Sequence, residues 1–149
     1  MRIALYRPEI AGNVGAVMRL GACMGIGVDL IEPLGFAWDD KRVRRTAMDY
    51  IDHVEVVRHP DFETFRASPK GRLILLTTKA SESVYDFGFR DDDVLLFGQE
   101  SAGVPSSVSD ICDGRVRIPI RAEVRSLNLA TSAALALGEA LRQTGGLPR

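Results

Sequence analysis

The sequence predicts an α/β fold with a mostly parallel sheet flanked by helices, and three observations predict it. Short apolar runs alternate with helical patterns along the chain. Runs such as Leu73-Ile74-Leu75-Leu76 and Val94-Leu95-Leu96-Phe97 are apolar throughout, as strands covered on both faces must be. Loops marked by glycine or proline follow several of these runs, at the strand ends where ligands bind in such sheets.

Taken in order, residues 2–5 read as the first strand. Residues 13–24 read as a helix, with Asn13 as its N-cap and Gly25 or Gly27 as its stop. Residues 28–32 form the next strand. Asp39 or Asp40 caps a short basic helix that runs to about Ala47. Residues 54–57 read as a short strand, and 60–67 as a helix with Pro60 near its first turn. Strands follow at 72–78, 94–97 and 116–118. A long helix over 128–143 ends before Gly145-Gly146, with Ser126 or Asn128 as its cap.

Composition bounds the function. A chain of 149 residues suits one domain, 1–149, large enough to bury a core without disulfide staples. A net charge of -1 excludes a strongly basic nucleic-acid binder but leaves room for a local basic patch. Cys23 and Cys112 are far apart, and His53 and His59 lack zinc-ligand spacing, so neither a disulfide framework nor a metal site is expected. The N-terminus runs straight into a strand without the regions of a signal peptide, and no apolar stretch is long enough for a membrane span. A reducing, cytoplasmic compartment fits.

The loops after the strands carry the chemistry. Gly12, Asn13 and Gly15 open the first helix, where backbone N–H groups suit either an ordinary capped start or an anion. The G-x-G-x-x-G fingerprint of dinucleotide binders is absent, as is a P-loop. Arg19 is the only charged residue between Glu9 and Asp29, and shares a helical face with Gly15, Ala22 and Cys23. If buried, it needs an anionic or polar partner such as a phosphate; otherwise it reaches water along its stem. Lys41, Arg44 and Arg45 fall on one helical face, with Trp38 and Tyr50 nearby as candidates to stack on bases. The alternative for that cluster is a solvated charged face. Leu76-Thr77-Thr78-Lys79, then the run from Phe97 to Pro105, then Ile118-Pro119-Ile120 each leave an apolar strand for a polar or glycine-marked loop. Together they predict one composite pocket.

These segments resemble the SPOUT class of methyltransferases, and more closely its compact subgroup of tRNA 2′-O-methyltransferases acting on the wobble cytidine or uridine. The first motif resembles Asn13-x-Gly15-x-x-x-Arg19, the second the stretch from Phe97 to Pro105, and the third Ile118-Pro119 followed by Arg125-Ser126-Leu127-Asn128. The stretch from Gly35 to Arg42 resembles the wobble subgroup. The likeness covers nearly the whole chain. It implies a C-terminal trefoil knot, which sequence physics alone does not suggest. It also implies a homodimer whose active site takes residues from both subunits.

By the same resemblance S-adenosylmethionine is the cofactor, and no metal takes part. It would lie against Leu76, Thr77, Gly98, Gly103, Val104, Ile118, Ser126 and Leu127. Arg19, Asn13, Glu100 and Asn128 would form the catalytic group, Arg19 orienting a phosphate and stabilising the developing 2′-alkoxide. Lys41, Arg42, Arg45 and Arg125 would bind the tRNA anticodon stem-loop. The chain departs from the pattern at Gly138, where some wobble enzymes carry a tyrosine, and at Gln99-Glu100, where Pro-Glu is commoner. A glycine there would permit close helix approach across a dimer.

Three other readings remain open on the residues alone. One is a ribose methyltransferase for another tRNA position or for ribosomal RNA. Another is a non-catalytic RNA-binding module, against which Arg19, Glu100, Ser126 and Asn128 argue. The last is a nucleotide-binding protein with a small-molecule substrate, disfavoured by the basic patch and the missing glycine fingerprint.

Overall fold

A computed structural model describes residues 1–68 and 70–149, without the side chains of 46–48. The strands β1 (Arg2–Tyr6), β2 (Gly27–Ile31), β3 (Val56–His59), β4 (Leu73–Leu76), β5 (Val94–Phe97) and β6 (Gly114–Val116) form one sheet. Their order is β3-β2-β1-β5-β4-β6, and every pairing is parallel. The helices are α1 (Ala11–Met24), α2 (Asp40–Ala47), α3 (Phe62–Ala67), α4 (Ser106–Ser109) and α5 (Leu129–Thr144). The predicted α/β class with a parallel sheet is the one found.

Both faces of the central strands are buried, which is why β4 and β5 read as unbroken apolar runs. Successive side chains alternate between two cores. Ile3, Leu5, Val28, Leu30, Ile74, Leu95 and Phe97 pack with Val14, Val17 and Met18 of α1 and Ala133, Ala136, Leu137 and Ala140 of α5. Ala4, Tyr6, Ile31, Leu75 and Leu96 face the other way, onto Phe65 of α3 and onto Val108 and Cys112. Burial pushes the Cys112 thiol up to about 11.

Polar groups inside the sheet are paired. Asp29 on β2 accepts from Arg2 Nε at 2.7 Å and lies 2.8 Å from His59 Nε2, with both Asp29 and His59 buried. Asp93 is fully buried and takes two bonds from Arg72, each 2.8 Å, and one from the Arg90 N–H.

Several predicted boundaries move. Asn13 is not the cap of α1: the helix starts at Ala11 after an extended Ile10, with no side-chain cap. Gly25 does stop it, in the left-handed conformation with φ 68°. Asp39 rather than Asp40 holds the start of α2, accepting from the Lys41 N–H at 2.9 Å. The helix predicted from Pro60 begins at Phe62, because Asp61 caps it through the Thr64 N–H at 2.7 Å. Strand β3 lies two residues later than predicted, in the register that pairs Ile31 with His59. Strands β4 and β6 are displaced or shorter, because Ile74 pairs with Gly114 and Leu76 with Val116. The 3-10 turn over Met48–His53 and the short α4 carry no sequence signal that we identified. Among the described residues no helix is long and apolar enough to cross a membrane.

The chain runs β1, β2, β3 to one side, then returns to place β5 against the other side of β1. The loops after β1 and β5 therefore leave the sheet at the point where its order reverses, the usual ligand crevice of open parallel sheets.

Candidate active site

A cleft of about 920 Å³ lies at that edge. Every residue predicted to face a cofactor lines it: Leu76, Thr77, Gly98, Gly103, Val104, Ile118, Ser126 and Leu127. Asn13, Glu100 and Asn128 line it too. The three loops predicted to form one composite pocket do so.

The loop after β5 is a tight hairpin. Gln99 and Gly103 exchange both backbone hydrogen bonds at 2.9 Å. Gly103 has φ 65°, which favours glycine. A Cβ on Gly98 would sit 2.5 Å from the Gly103 carbonyl carbon, so the crossing needs a bare backbone there. The segment 121–128 is exposed and irregular. Among the described residues, the N–H groups of Ser126, Leu127 and Asn128 make no hydrogen bond within the chain. A cleft with apolar walls from Leu76, Val104, Ile118 and Leu127 and such free backbone groups suits a nucleoside-like ligand.

One polar network ties the loops together. Glu100 Oε2 accepts from the Glu9 N–H at 2.9 Å, and Glu100 Oε1 from Asn13 Nδ2 at 3.3 Å. Asn128 Nδ2 donates to Asn13 Oδ1 at 3.0 Å. Asn128 Oδ1 meanwhile caps α5, accepting from the N–H groups of Ala130 and Thr131 at 2.9 and 3.2 Å. Asn13 thus links the Glu100 loop to the Asn128 loop, the latter 115 residues along the chain from Asn13 itself.

Arg19 is placed differently. It is exposed on α1, outside the cleft lining, with its guanidinium 5.0 Å from the Tyr50 ring centroid. Of the two predicted states, buried or reaching water, the second holds. Tyr50 and Trp38 are engaged within the chain: Tyr50 beneath Arg19, and Trp38 half-buried with Arg58 over its ring at 4.7 Å. Lys41, Arg42, Arg44 and Arg45 are exposed on α2, whose buried Val43 packs on the α1 side of the core. Arg44 faces Asp52 at 3.6 Å. Arg125 is exposed beside Ser126 and the cleft.

Sequence reasoning places Lys79 and Ser101 in pocket loops but assigns no role to Glu9. Lys79 lines the cleft beside Thr77. Glu9 Oε1 accepts from both the backbone N–H and the hydroxyl of Ser101, at 3.0 and 2.6 Å. Those bonds hold the Glu9 carboxyl below the usual carboxylate range. No local pattern announces a partner 92 residues away.

A model of the SpoU rRNA methylase family matches residues 1–138. The chain belongs to this family. As a SpoU methylase it is similar to a tRNA (cytidine(34)-2′-O)-methyltransferase of Beijerinckia indica, with 51% identity over 99% of this chain and 94% of that one. It is similar in fold to a protein solved in a study of the 2-OH methylation of C/U34 on tRNA, with TM-score 0.90, 40% identity, and cover of 95% and 94% of the two chains. The SpoU methyltransferase AviRb from Streptomyces viridochromogenes, in complex with AdoMet, superposes with TM-score 0.83 and 29% identity, covering 96% of this chain and 60% of that one.

Proposed function

We propose that this SpoU methylase methylates the ribose 2′-hydroxyl of the wobble pyrimidine in tRNA anticodon loops, using S-adenosylmethionine. The observation that carries it is the convergence of segments from all three motifs, after β1, β5 and β6, on one cleft at the sheet's switch point. The relatives named above, similar over nearly the whole chain, support the substrate and position. AviRb holds AdoMet on the same fold, which supports the cofactor.

Bound S-adenosylmethionine would supply a methyl group on a sulfonium, an electrophile that needs no metal. The free backbone groups of 126–128 and the hairpin 98–104 would hold its adenine and ribose, and the apolar walls would exclude water. The ribose oxygen must lose a proton as it attacks. Positioning and charge stabilisation therefore set the barrier. An arginine is almost always protonated, so Arg19 suits the developing alkoxide and its neighbouring phosphate better than it suits proton removal. Asn13, Glu100 and Asn128 position the loops around the reacting groups rather than reacting themselves.

Because Arg19 lies outside the cleft of its own chain, we assign it to the cleft of a second copy in a homodimer. Exposed Ile10, Leu127 and Leu135, the first two of them in the cleft lining, support an apolar contact there. We also read the C-terminal path as a trefoil knot. In support, Arg117 is held between Glu82 and Val84 of the preceding loop by bonds of 2.9 and 2.8 Å, and α5 then returns from the β6 edge to pack on α1 and β5. The anticodon stem-loop would dock on Lys41, Arg42, Arg45 and Arg125, in the cytoplasm, where such RNA resides.

The deciding experiment is methyl transfer from labelled cofactor to total tRNA of a strain lacking this gene, followed by mapping of the modified nucleotide. A 2′-O-methyl group at the wobble position is the expected result. Transfer elsewhere in tRNA or to ribosomal RNA would keep the reaction and replace the substrate. Absence of both transfer and cofactor binding would overturn the enzyme.

A further inference from the structure

Two glutamates each clasp the other's loop: Glu100 holds the backbone of Glu9, and Glu9 holds Ser101, the residue after Glu100. Glu100, after β5, accepts from the Glu9 N–H at 2.9 Å. Glu9, after β1, accepts from the Ser101 N–H at 3.0 Å and the Ser101 hydroxyl at 2.6 Å. The arrangement is reciprocal, so neither loop can shift without breaking charge-assisted bonds on both sides. Glu100 belongs to a recognised motif; Glu9 does not, and it lines no part of the cleft. Its carboxylate acts through Ser101, which does line the cleft, within a hairpin whose shape already depends on Gly98 and Gly103.

A third loop fixes Glu9 from behind. The Gly35 N–H donates to the Pro8 carbonyl at 2.9 Å. A Cβ on Gly35 would come within 2.8 Å of the Glu9 Cα and 3.1 Å of its Cβ. The closest of these atoms is backbone, so the added Cβ must displace Glu9 itself. The same loop leads through Trp38 to Asp39 and the basic helix α2.

We infer that Glu9 is a positioning residue for the cofactor, locking the 98–104 hairpin in its binding shape through Ser101, and that Gly35 sets Glu9 in place. The inference deepens the methyltransferase reading and rests on it. Glu9 touches neither substrate nor cofactor. Its removal frees the hairpin to sample shapes that do not bind, and the measured affinity falls by the fraction of time spent in them.

The test is calorimetric titration of the full-length protein with S-adenosylhomocysteine, alongside binding of an anticodon stem-loop RNA measured without cofactor. Glu9→Ala is expected to weaken S-adenosylhomocysteine about tenfold, the scale of one charge-assisted hydrogen bond removed, and to leave the RNA dissociation constant unchanged. Glu9→Gln keeps an acceptor oxygen for Ser101 and is expected to recover most of that affinity. Gly35→Ala, which displaces Glu9 without altering it, should weaken the cofactor in the same way. Ser101→Ala removes only the hydroxyl leg and serves if Glu9→Ala does not fold; a loss of about threefold is expected, since the backbone leg remains. Unchanged cofactor affinity in Glu9→Ala, or in Ser101→Ala if that variant must stand in, would overturn the inference while leaving the enzyme intact. Equal loss of cofactor and RNA binding would reduce Glu9 to general stability and overturn it too. Failure of the unaltered protein to bind S-adenosylhomocysteine would instead overturn the methyltransferase reading on which it rests.

Discussion

Asn128 uses the two ends of one amide for two purposes: Oδ1 caps α5, and Nδ2 donates to Asn13 Oδ1 at 3.0 Å. The cap is local, whereas the bond to Asn13 joins the last motif to the first. Substitution can separate them. Asn128→Ala loses both and should cost about 1 kcal/mol of stability, the usual worth of a cap, seen as a fall of a few degrees in Tm. Asn128→Asp keeps cap oxygens but removes the donor and sets a carboxylate against Asn13 Oδ1. Its Tm should stay near that of the unaltered protein while methyl transfer falls at least about tenfold, the factor set by roughly 1.4 kcal/mol. Normal turnover in Asn128→Asp would mean that the link to Asn13 is dispensable.

Gly98 tests the hairpin directly. Its Cβ in Gly98→Ala would meet the Gly103 carbonyl carbon at 2.5 Å, closer than real contacts allow. The hairpin must open, and it carries Gly103 and Val104 of the cleft wall with it. Cofactor affinity should drop by about tenfold or more, as for other strained backbone positions costing roughly 1–3 kcal/mol. Titration with S-adenosylhomocysteine reads this; affinity within twofold of normal would show that the crossing tolerates a side chain.

The charges on α2 are exposed, and the helix is held to the core by Val43, so their removal should spare the fold. A triple variant, Lys41→Gln, Arg42→Gln and Arg45→Gln, is expected to weaken anticodon stem-loop binding. It should also flatten the plot of log Kd against log salt by about 2, at roughly 0.7–0.9 for each phosphate no longer neutralised. A slope that does not change would place the RNA on another face.

Gly138 lies inside α5, and a Cβ added there meets nothing within 4 Å in the chain. The chain's own packing therefore does not require a glycine. Gly138→Ala should raise Tm by the few degrees that correspond to about 0.5–1 kcal/mol of helix propensity and reduced unfolded-state freedom. Scanning calorimetry at two protein concentrations checks it. A Tm that falls instead, and falls further on dilution, would mark Gly138 as a point of close approach between copies.

Much of this protein is determined along the sequence itself. Unbroken apolar runs such as Leu73 to Leu76 announced a parallel sheet, because strands covered on both faces carry no polar alternation. Gly25 or Gly27, Asp39 or Asp40, and Ser126 or Asn128 marked helix ends by chemistry that acts within a few residues, and the structure selects Gly25, Asp39 and Asn128. That the loops after β4, β5 and β6 share one pocket was legible because parallel strands present their C-terminal ends at one edge, while the individual cofactor residues came from the resemblance. Tertiary structure decided what depends on distant partners. Asn13 looked like a cap until Glu100 and Asn128, far along the chain, claimed its amide. Strand β3 took its register from β2, not from its own apolar residues. Arg19 turned outward over Tyr50 although its neighbours in sequence are small and apolar. Glu9 has no local signature at all, since its partners at Gly35 and Ser101 reach it only once β1, β2 and β5 lie side by side. A sequence displays interactions within a turn or a strand end; hydrogen bonds between loops exist only after the sheet has set which loops are neighbours.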